Sequence, residues 1–288
     1  MPYLRVISLT TLTMIAFAGN SVLCRVALKE TAIDAASFTS IRLISGALML
    51  WLIVSLFRSG QEGKGNWASA LALFAYAAMF SFAYINLSAA MGALLLFGAV
   101  QVTMIGVGLW RGEWLHWPQW TGLTLALLGL VYLLSPGLTA PPVGSSVLML
   151  AAGVAWGIYS LRGKGGGDPT RVTAGNFLRS VVFALLLGLL FMEGSHLDGA
   201  GVGYAIASGA ITSGLGYALW YYVLPELRAA TAATVQLSVP VITAIGGVLL
   251  LSESISLRLV LASLAILGGI ALVILGKAQR AGPEVPRT

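Results

Sequence analysis

Charged residues are scarce in this sequence. Only 9% of its 288 residues are Asp, Glu, Lys or Arg, whereas 58% are hydrophobic and the mean hydropathy is +0.92. A soluble globular protein carries about 25% charged residues, so this chain has too little polar surface to cover a water-facing globule. The length alone would allow two soluble domains, but the composition predicts a membrane protein instead.

Cysteine and histidine are almost missing as well. Cys24 is the single cysteine, which excludes an intrachain disulfide and a cysteine-based metal cluster. His116 and His196 fall in predicted loops, and all ten acidic residues lie in or beside loops. Nothing at membrane depth therefore matches the paired aspartates, zinc ligands or Ser–His pair of an intramembrane enzyme. We expect no enzymatic activity, no metal site and no cofactor.

Three other classes of function lack their sequence signals. The net charge of +6 does not indicate a nucleic-acid partner, because the basic residues are scattered between apolar runs. Gly163-Lys164 is a poor match to a phosphate-binding loop, because Gly157 is one residue too far away and Gly165 replaces the required Ser or Thr. A repeated Thr-Val-Gly filter and a charged pore ring, which would indicate an ion channel, are also missing.

Long apolar runs are what the chain has in abundance. A hydrocarbon core about 30 Å thick takes about 20 helical residues to cross, and segments rich in Gly, Pro and charged residues separate runs of about this length. We predict ten transmembrane helices at 4–24, 36–57, 67–87, 90–111, 119–135, 144–162, 172–192, 200–223, 229–251 and 257–276. Residues 277–288 are polar, contain two prolines and are predicted to form a disordered cytoplasmic tail.

The second half of the sequence repeats the first. Glu113 recurs as Glu253 at an offset of 140 residues, each after a long apolar run, and near the start of each half the offset is 137. Further matched pairs are Arg25/Arg162, Arg42/Arg179, Thr103/Thr243, Gly106/Gly246 and Gly129/Gly269. Five helices per half is an odd number, so the second half must enter the membrane from the opposite side. The predicted fold is an all-α membrane protein of ten transmembrane helices, built as two inverted-topology five-helix repeats over 1–138 and 139–276.

The basic residues predict the orientation of the chain in the membrane. Lys and Arg are enriched in cytoplasmic loops. With the N-terminus in the cytoplasm, eleven basic loop residues fall on the cytoplasmic side, and only Arg25, Lys29 and Arg258 fall on the other. We therefore expect a multi-pass protein of a bacterial-type inner membrane, with both termini cytoplasmic.

Three amide side chains at membrane depth are candidates for a binding site. Asn20, Gln101 and Gln236 lie within apolar runs, where a polar side chain is expected to face a cavity or another helix. Pro240 follows Gln236 by four residues and is predicted to bend the ninth helix as a hinge. Interhelical hydrogen bonds without a substrate remain the alternative for each amide.

Aromatic residues add a second set of candidates. An aromatic ring offers apolar area and a π face for cations, which suits a substrate with both an ammonium group and an apolar side chain. The candidate rings lie on the third, sixth and eighth helices: Tyr76, Phe80, Tyr84, Trp156, Tyr159, Tyr217 and Tyr221. The alternative is a belt of aromatics at the membrane surface, which fits Tyr76, Trp156 and Tyr217 poorly because they lie well inside their runs.

The matched charged residues have simpler explanations. Glu113 and Glu253 are predicted to lie at opposite membrane surfaces and to bond loop backbone or a nearby arginine, with a proton site as the alternative. Arg42 and Arg179 are predicted to snorkel to the nearer surface or to bond helix-end carbonyls. A role for Arg42 in binding a substrate carboxylate is the weaker alternative.

Several motifs resemble a known family. They are Phe17-Ala18-Gly19-Asn20-Ser21, Leu224-Pro225-Glu226-Leu227-Arg228, Ser238-Val239-Pro240-Val241, Leu250-Leu251-Ser252-Glu253 and Gly268-Gly269-Ile270. Together they resemble the EamA type of the drug/metabolite transporter superfamily, and the Tyr- and Trp-rich helices are most similar to the YddG group of amino-acid exporters. One departure is that repeat one has Ala99-Val100 where repeat two has Val239-Pro240, so only one of the paired helices carries the proline.

The resemblance implies ten helices, cytoplasmic termini, a cavity between the repeats and outward transport of small metabolites. We therefore expect a secondary transporter that exports amino acids, aromatic and other apolar ones, and related small metabolites by alternating access. The expected partners are a small-molecule substrate and the lipid bilayer. A multidrug or other metabolite carrier of the same fold is the first alternative, and a membrane protein that transports nothing is the second.

Overall fold

The computed structural model describes residues 3–57, 62–112, 114–137, 140–163, 167–227 and 229–278. Every regular element in these ranges is helical. The α-helices are α1 Tyr3–Glu30, α2 Ala35–Phe57, α3 Trp67–Tyr84, α4 Ala89–Trp110, α5 Trp117–Leu134, α6 Val143–Arg162, α7 Pro169–Leu190, α8 Gly199–Ile206, α9 Gly216–Val223, α10 Ala229–Gln236, α11 Ser238–Leu251 and α12 Leu257–Ala278. A π-helix, Ala207–Leu215, joins α8 to α9, and short 3-10 turns lie at Met192–Gly194 and Leu224–Glu226.

Nine stretches of helix within the described ranges are long and apolar enough to cross a membrane. They are α1 to α7, residues 234–251 and the greater part of α12. The predicted eighth helix, 200–223, is helical from Gly199 to Val223, but it changes from α to π and back, so no uninterrupted α-helix of membrane-spanning length occurs there. The all-α membrane class is confirmed, and nine of the predicted spans are found by this criterion.

Some helix ends differ from the prediction. α1 continues to Glu30, six residues past the predicted end, because Arg25 and Lys29 find backbone partners on neighbouring helices. The Arg25 Nη1 donates to the carbonyl oxygens of Tyr84 and Ile85, each at 2.8 Å, and the Lys29 Nζ donates to the Leu251 carbonyl oxygen at 3.1 Å. At the other end of the chain, α12 includes residues 277 and 278, so the predicted tail begins too early; its remainder lies outside the described residues.

Short polar side chains begin several helices. The Asn66, Asp168 and Asp198 side chains each accept a hydrogen bond from a backbone N–H in the first turn of α3, α7 and α8, at 2.7 to 2.9 Å. The Ser88 hydroxyl does the same for α4 at 3.3 Å. An N-terminal turn has N–H groups without a partner inside the helix, and these side chains satisfy them. The helix starts are therefore encoded locally.

Small residues let the helices approach closely. α3 packs on α6, α2 on α7, α5 on α12, and α1 on both α11 and the segment from α8 to α9. A Cβ atom added at Gly153 would meet the Ala99 Cβ at 2.6 Å, and one added at Gly122 would touch the carbonyl oxygen of Gly269. Lipid supplies no hydrophobic drive between helices, so such close van der Waals contact has to hold them together.

The ninth predicted helix is interrupted near its proline. α10 ends at Gln236 and α11 begins at Ser238, with Pro240 buried in the first turn of α11. Proline has no backbone N–H, so the carbonyl of Gln236 loses its usual partner four residues on. At the same place, the Leu237 N–H bonds the carbonyl oxygen of Thr234, three residues earlier, at 3.0 Å. This turn is tighter than a turn of α-helix, which joins residues four apart. The break thus lies where the sequence predicts a bend.

Candidate functional site

Aromatic rings from three helices meet in the interior. The Trp156 ring of α6 lies 4.8 Å from the Tyr76 ring of α3 and 5.5 Å from the Tyr217 ring of α9, measured between ring centroids. Trp156 also stacks on Tyr159 of its own helix at 5.3 Å. Tyr76, Tyr159 and Tyr217 are buried, and Trp156 is partly exposed. Trp156 therefore connects the rings of α3 and α9 within this ring cluster.

The ring cluster extends in both directions along these helices. Phe80 lies 5.4 Å from Tyr76, and Tyr84 lies 4.7 Å from Phe80. On the other side, Tyr221 lies 6.4 Å from Tyr217. All seven rings named from the sequence thus belong to one continuous set of contacts.

Two phenylalanines of the cluster are missed by sequence reasoning. Phe17 of α1 lies 5.6 Å from Tyr217, and Phe177 of α7 lies 6.0 Å from the same ring. Phe17 precedes Asn20 by three residues and so shares its helix face, which is a signal that the sequence contains. Phe177 has no comparable signal, because a single phenylalanine in an apolar run is ordinary.

Asn20 belongs to a buried series of hydrogen-bonded side chains beside the rings, the polar chain. Its Nδ2 donates to the Tyr76 hydroxyl at 3.2 Å, and its Oδ1 accepts from the Ser208 hydroxyl at 2.7 Å and the Thr212 hydroxyl at 3.4 Å. Ser208 and Thr212 are one turn apart in the π-helix, where irregular helical turns often accompany function. The single Thr212 hydroxyl hydrogen also points to the Ser208 carbonyl oxygen at 2.8 Å, so the Asn20 amide is held chiefly by its bonds to Tyr76 and Ser208.

Arg42 extends the polar chain, and its position differs from the one predicted from the sequence. Only 2% of its surface is exposed, and its Nη2 donates to the Tyr76 hydroxyl at 3.1 Å. Its guanidinium lies over the Tyr76 ring at 5.3 Å and the Phe80 ring at 5.0 Å. The prediction that Arg42 snorkels or bonds helix-end carbonyls is wrong, because the Tyr76 hydroxyl and two π faces supply partners in the interior.

Arg179, the repeat-related arginine, bonds backbone carbonyls of a loop and of its own helix α7. Its Nη1 donates to the carbonyl oxygens of Lys64 at 2.6 Å and Gly175 at 2.8 Å. The two matched arginines therefore have different surroundings: Arg179 binds backbone near a helix end, whereas Arg42 faces the ring cluster.

The other two amides do not join the polar chain. The Gln236 Nε2 donates to the Ala232 carbonyl oxygen of its own helix at 3.1 Å. The Gln101 side chain is half-buried and has no hydrogen-bond partner among the described residues. Phe97, one turn before Gln101, packs against the hydrophobic cluster around Trp220, as Phe17 does. Within the described residues, no hydrogen bond links Gln101 to the polar chain.

Two of the candidate tyrosines have structural partners. The Tyr84 hydroxyl donates to the Ala89 carbonyl oxygen at 3.2 Å, and its ring lies against Gly92, where any Cβ atom would collide with it. The Tyr159 hydroxyl accepts a 3.5 Å hydrogen bond from the Asn176 Nδ2. Tyr84 consequently braces the turn between α3 and α4 more than it faces the centre of the cluster.

Glu253 has the structural surroundings predicted for it. Its carboxylate pairs with the Arg25 Nε at 3.2 Å and accepts from the Ala89 N–H, the first residue of α4, at 2.8 Å. Its repeat partner Glu113 lies outside the described residues. The ion pair joins α1 to the end of α11 at one end of the helix bundle.

Comparison with known proteins relates the chain to membrane transporters. A family model described as the EamA-like transporter family matches residues 144–275. An uncharacterised protein of Pseudomonas aeruginosa is 57% identical over 98% of this chain and 100% of its own length. The threonine/homoserine exporter RhtA of Salmonella typhimurium (strain SL1344) is 29% identical over half of this chain and half of its own length.

A solved crystal structure of a protein has the same fold. It superimposes with a TM-score of 0.64 over 95% of this chain and 99% of its own chain, at 20% sequence identity. Similarity at this level of identity extends to the arrangement of the helices alone.

Proposed function

This chain belongs to the EamA-like transporter family, and from that premise we propose that it exports amino acids, chiefly aromatic and other apolar ones. Membership makes it a multi-pass membrane transporter of a small molecule and not an enzyme. The proposed site is the ring cluster around Trp156, with Asn20 and Tyr76 at its polar edge. Both termini are proposed to lie in the cytoplasm of a bacterial cell.

The observation that carries the proposal is the meeting of Tyr76, Trp156 and Tyr217 from three helices beside a buried polar chain. Aromatic faces bind apolar side chains through area and bind an ammonium group through their π electrons. The polar chain from Ser208 to Arg42 offers hydrogen bonds beside these rings. An amino acid has the same division between a charged end and a side chain.

The pairing of helices supports two inverted repeats, 1–138 and 139–276. If α6 in the second half corresponds to α1 in the first, exchanging the halves converts the contact of α1 with α11 into that of α6 with α4. The same exchange converts the contact of α1 with the α8–α9 segment into that of α6 with α3, with α8–α9 serving as the eighth span. Two such units can rock about a shared site and open it to either side in turn.

The similarity to the threonine/homoserine exporter supports the substrate class. That similarity covers only half of each chain, so the ring cluster is our reason for placing aromatic and apolar amino acids first. A carrier of cationic drugs is the alternative, and such a carrier would be expected to have a carboxylate beside the rings that binds the cation. None of the described carboxylates forms an ion pair or a hydrogen bond with a residue of the cluster.

The test is flux in vesicles reconstituted with the purified protein. We expect labelled phenylalanine to cross these vesicles faster than protein-free ones, and unlabelled leucine and tryptophan to compete. Flux of a cationic dye without any competition by amino acids would replace the proposal with the drug carrier. Absence of amino-acid flux in correctly inserted protein, with and without an imposed pH gradient, would refute amino-acid export.

A further inference from the structure

Arg42 is a buried cation whose hydrogen-bonding capacity is only partly used. The Nη2 atom has a partner in the Tyr76 hydroxyl, but the Nε and Nη1 atoms are buried without a hydrogen-bond partner among the described residues. A guanidinium carries five N–H donors, and donors buried without acceptors are costly to a folded protein. Such an arrangement is stable when another molecule supplies the missing acceptors.

The charge of Arg42 is not neutralised by the described part of the protein either. No described carboxylate forms an ion pair with it, and the ionisable groups that face it are the Cys24 thiol and the hydroxyls of Tyr76 and Tyr217. The rings of Tyr76 and Phe80 give it π contacts but no counter-charge. An unpaired charge at membrane depth is expensive and marks a functional position.

The Tyr76 hydroxyl contributes a further donor at the same place. Its oxygen accepts two hydrogen bonds, one from the Asn20 Nδ2 and one from the Arg42 Nη2. Because the oxygen acts as acceptor in both, the hydroxyl hydrogen itself remains to be donated. Asn20 is in turn anchored by Ser208, so the orientation of this hydroxyl is set before any ligand arrives.

We propose that Arg42 and the Tyr76 hydroxyl bind the carboxylate of the transported molecule. Guanidinium N–H groups and a hydroxyl hydrogen are the donors that a carboxylate accepts most strongly. A carboxylate held there has the Trp156 ring within reach for the remainder of the molecule, since Trp156 lies 4.8 Å from Tyr76. The inference rests on the proposed function and deepens it: the substrate class is small carboxylates with an apolar group, amino acids among them.

The first experiment compares three ligands that differ only in their polar groups, using the wild-type protein. Phenylalanine, 3-phenylpropionate and phenylalaninamide share one side chain, but the amide has no carboxylate. We expect phenylalanine and 3-phenylpropionate to raise the melting temperature of the purified protein and to compete with labelled phenylalanine in vesicles. The amide should do neither. An amide as effective as the acid would overturn the inference, and this outcome needs no variant that folds.

The second experiment tests the two residues. Arg42→Gln removes the charge, and we expect the half-maximal concentration of 3-phenylpropionate in the melting assay to rise about 10- to 100-fold, as for the loss of charged hydrogen bonds. Tyr76→Phe keeps the ring and should raise it about 3- to 10-fold. Arg42→Lys keeps the charge without the planar fork and should lie between Arg42→Gln and wild type.

Arg179→Gln is the matched control, because it removes the repeat-related arginine, whose hydrogen bonds go to backbone carbonyls and whose guanidinium lies over Trp67, a ring outside the ring cluster. We expect its carboxylate affinity to equal that of wild type. Unchanged carboxylate affinity in a folded Arg42→Gln protein would overturn the inference, as would an equal loss in Arg179→Gln.

The two proposals fail in distinguishable ways. If wild type transports amino acids but binds the amide equally well, the carboxylate site is wrong and the proposed function stands. If wild type moves no amino acid but is stabilised by 3-phenylpropionate through Arg42, amino-acid export is wrong and the carboxylate site stands.

Discussion

Trp156 joins the rings of neighbouring helices to its own helix, α6. It contacts rings of α3, of α9 and of its own helix, yet it remains partly exposed, unlike Tyr76. A ring that is both well packed and accessible is suited to meet a molecule that enters from outside the core. Its role is therefore best separated from stability by a flux measurement.

We expect Trp156→Ala to raise the KM for phenylalanine flux about 10-fold, because the substrate loses an aromatic contact worth about 0.5–1.5 kcal/mol together with buried apolar area. Reconstituted vesicles with matched protein content provide the measurement. Trp110→Ala is the control, since Trp110 is 87% exposed at the end of α4 and its loss should leave KM unchanged. Equal KM values in the two variants would show that Trp156 does not bind the substrate.

Arg42 shows what can and cannot be inferred at the scale of single residues. The internal repeat singles out this arginine by its match to Arg179, but the two side chains have different environments. Only the position of Tyr76 on another helix, 34 residues further along the chain, determines that Arg42 stays inside. Partners of this kind come from packing, and no local pattern records them.

At the scale of elements, the π-helix Ala207–Leu215 is the most consequential departure from regular structure. It carries Ser208 and Thr212 to the Asn20 amide, and Gly209 lies against the backbone of Arg42. The widened helix thus approaches α2 closely while it presents two hydroxyls to α1. The sequence shows small and polar residues here, but nothing in it specifies the change in hydrogen-bonding pattern.

We expect Gly209→Ala to lower the stability of the protein by about 1–3 kcal/mol, as overpacking does. A Cβ atom at Gly209 would collide with the Ser45 Oγ and the Arg42 carbonyl oxygen. Thermal unfolding in detergent is the measurement. Gly203→Ala is the control, because a Cβ atom at Gly203 in α8 meets no atom within 4 Å. A Gly209→Ala protein as stable as the control would show that α2 and the π-helix are not closely packed.

The loop between α1 and α2 contains a carboxylate that links two parts of the chain. Burial raises the pKa of Asp34, but hydrogen bonds from the hydroxyl and N–H of Ser37 and from the N–H groups of His196 and Ala36 outweigh it. The net pKa is lowered from the ordinary value of 3.8. Because the folded pKa is the lower one, the ionised carboxylate contributes stability above the unfolded pKa, and this contribution is lost as the pH falls through the folded value.

We therefore expect wild type to be more stable than Asp34→Asn at neutral pH, with the difference shrinking between about pH 5 and pH 3. Thermal unfolding of both proteins across this range gives the result. Glu193→Gln is a suitable control, since Glu193 is exposed in the 3-10 turn of the same region. A difference between wild type and Asp34→Asn that does not change with pH would contradict the assignment.

At the scale of the whole molecule, the proposed orientation of the chain rests on its basic residues and is open to a direct test. In a Cys24→Ser background, we expect Tyr3→Cys and Lys277→Cys to react only with a membrane-permeant reagent in intact cells. His196→Cys lies in an exposed loop at the other end of the bundle and should react with an impermeant reagent. Labelling of Tyr3→Cys and Lys277→Cys from opposite sides would contradict the two inverted repeats.

Most of the fold follows from the sequence because the membrane imposes a simple rule. In a bilayer every backbone polar group has to be satisfied within its own segment, so each apolar run of sufficient length becomes a helix. That rule locates α2, α4 and α7 within a few residues. It does not locate the end of α1, because Arg25 and Lys29 are stabilised by carbonyls of other helices.

Three properties could be predicted from the amino-acid sequence: the all-helical membrane class, the rings that are candidates for the site, and the place where the ninth helix is interrupted. These properties depend on hydrophobicity, periodicity and the missing N–H of a proline, all of which are local. Three other properties depend on helix packing: Arg42 is buried with unbonded donors, Ser208 orients Asn20, and Gln101 and Gln236 form no hydrogen bond with these residues. Hydrogen bonds between helices depend on the rotation and depth of each helix against its neighbours, and those are set by the packing of the whole bundle.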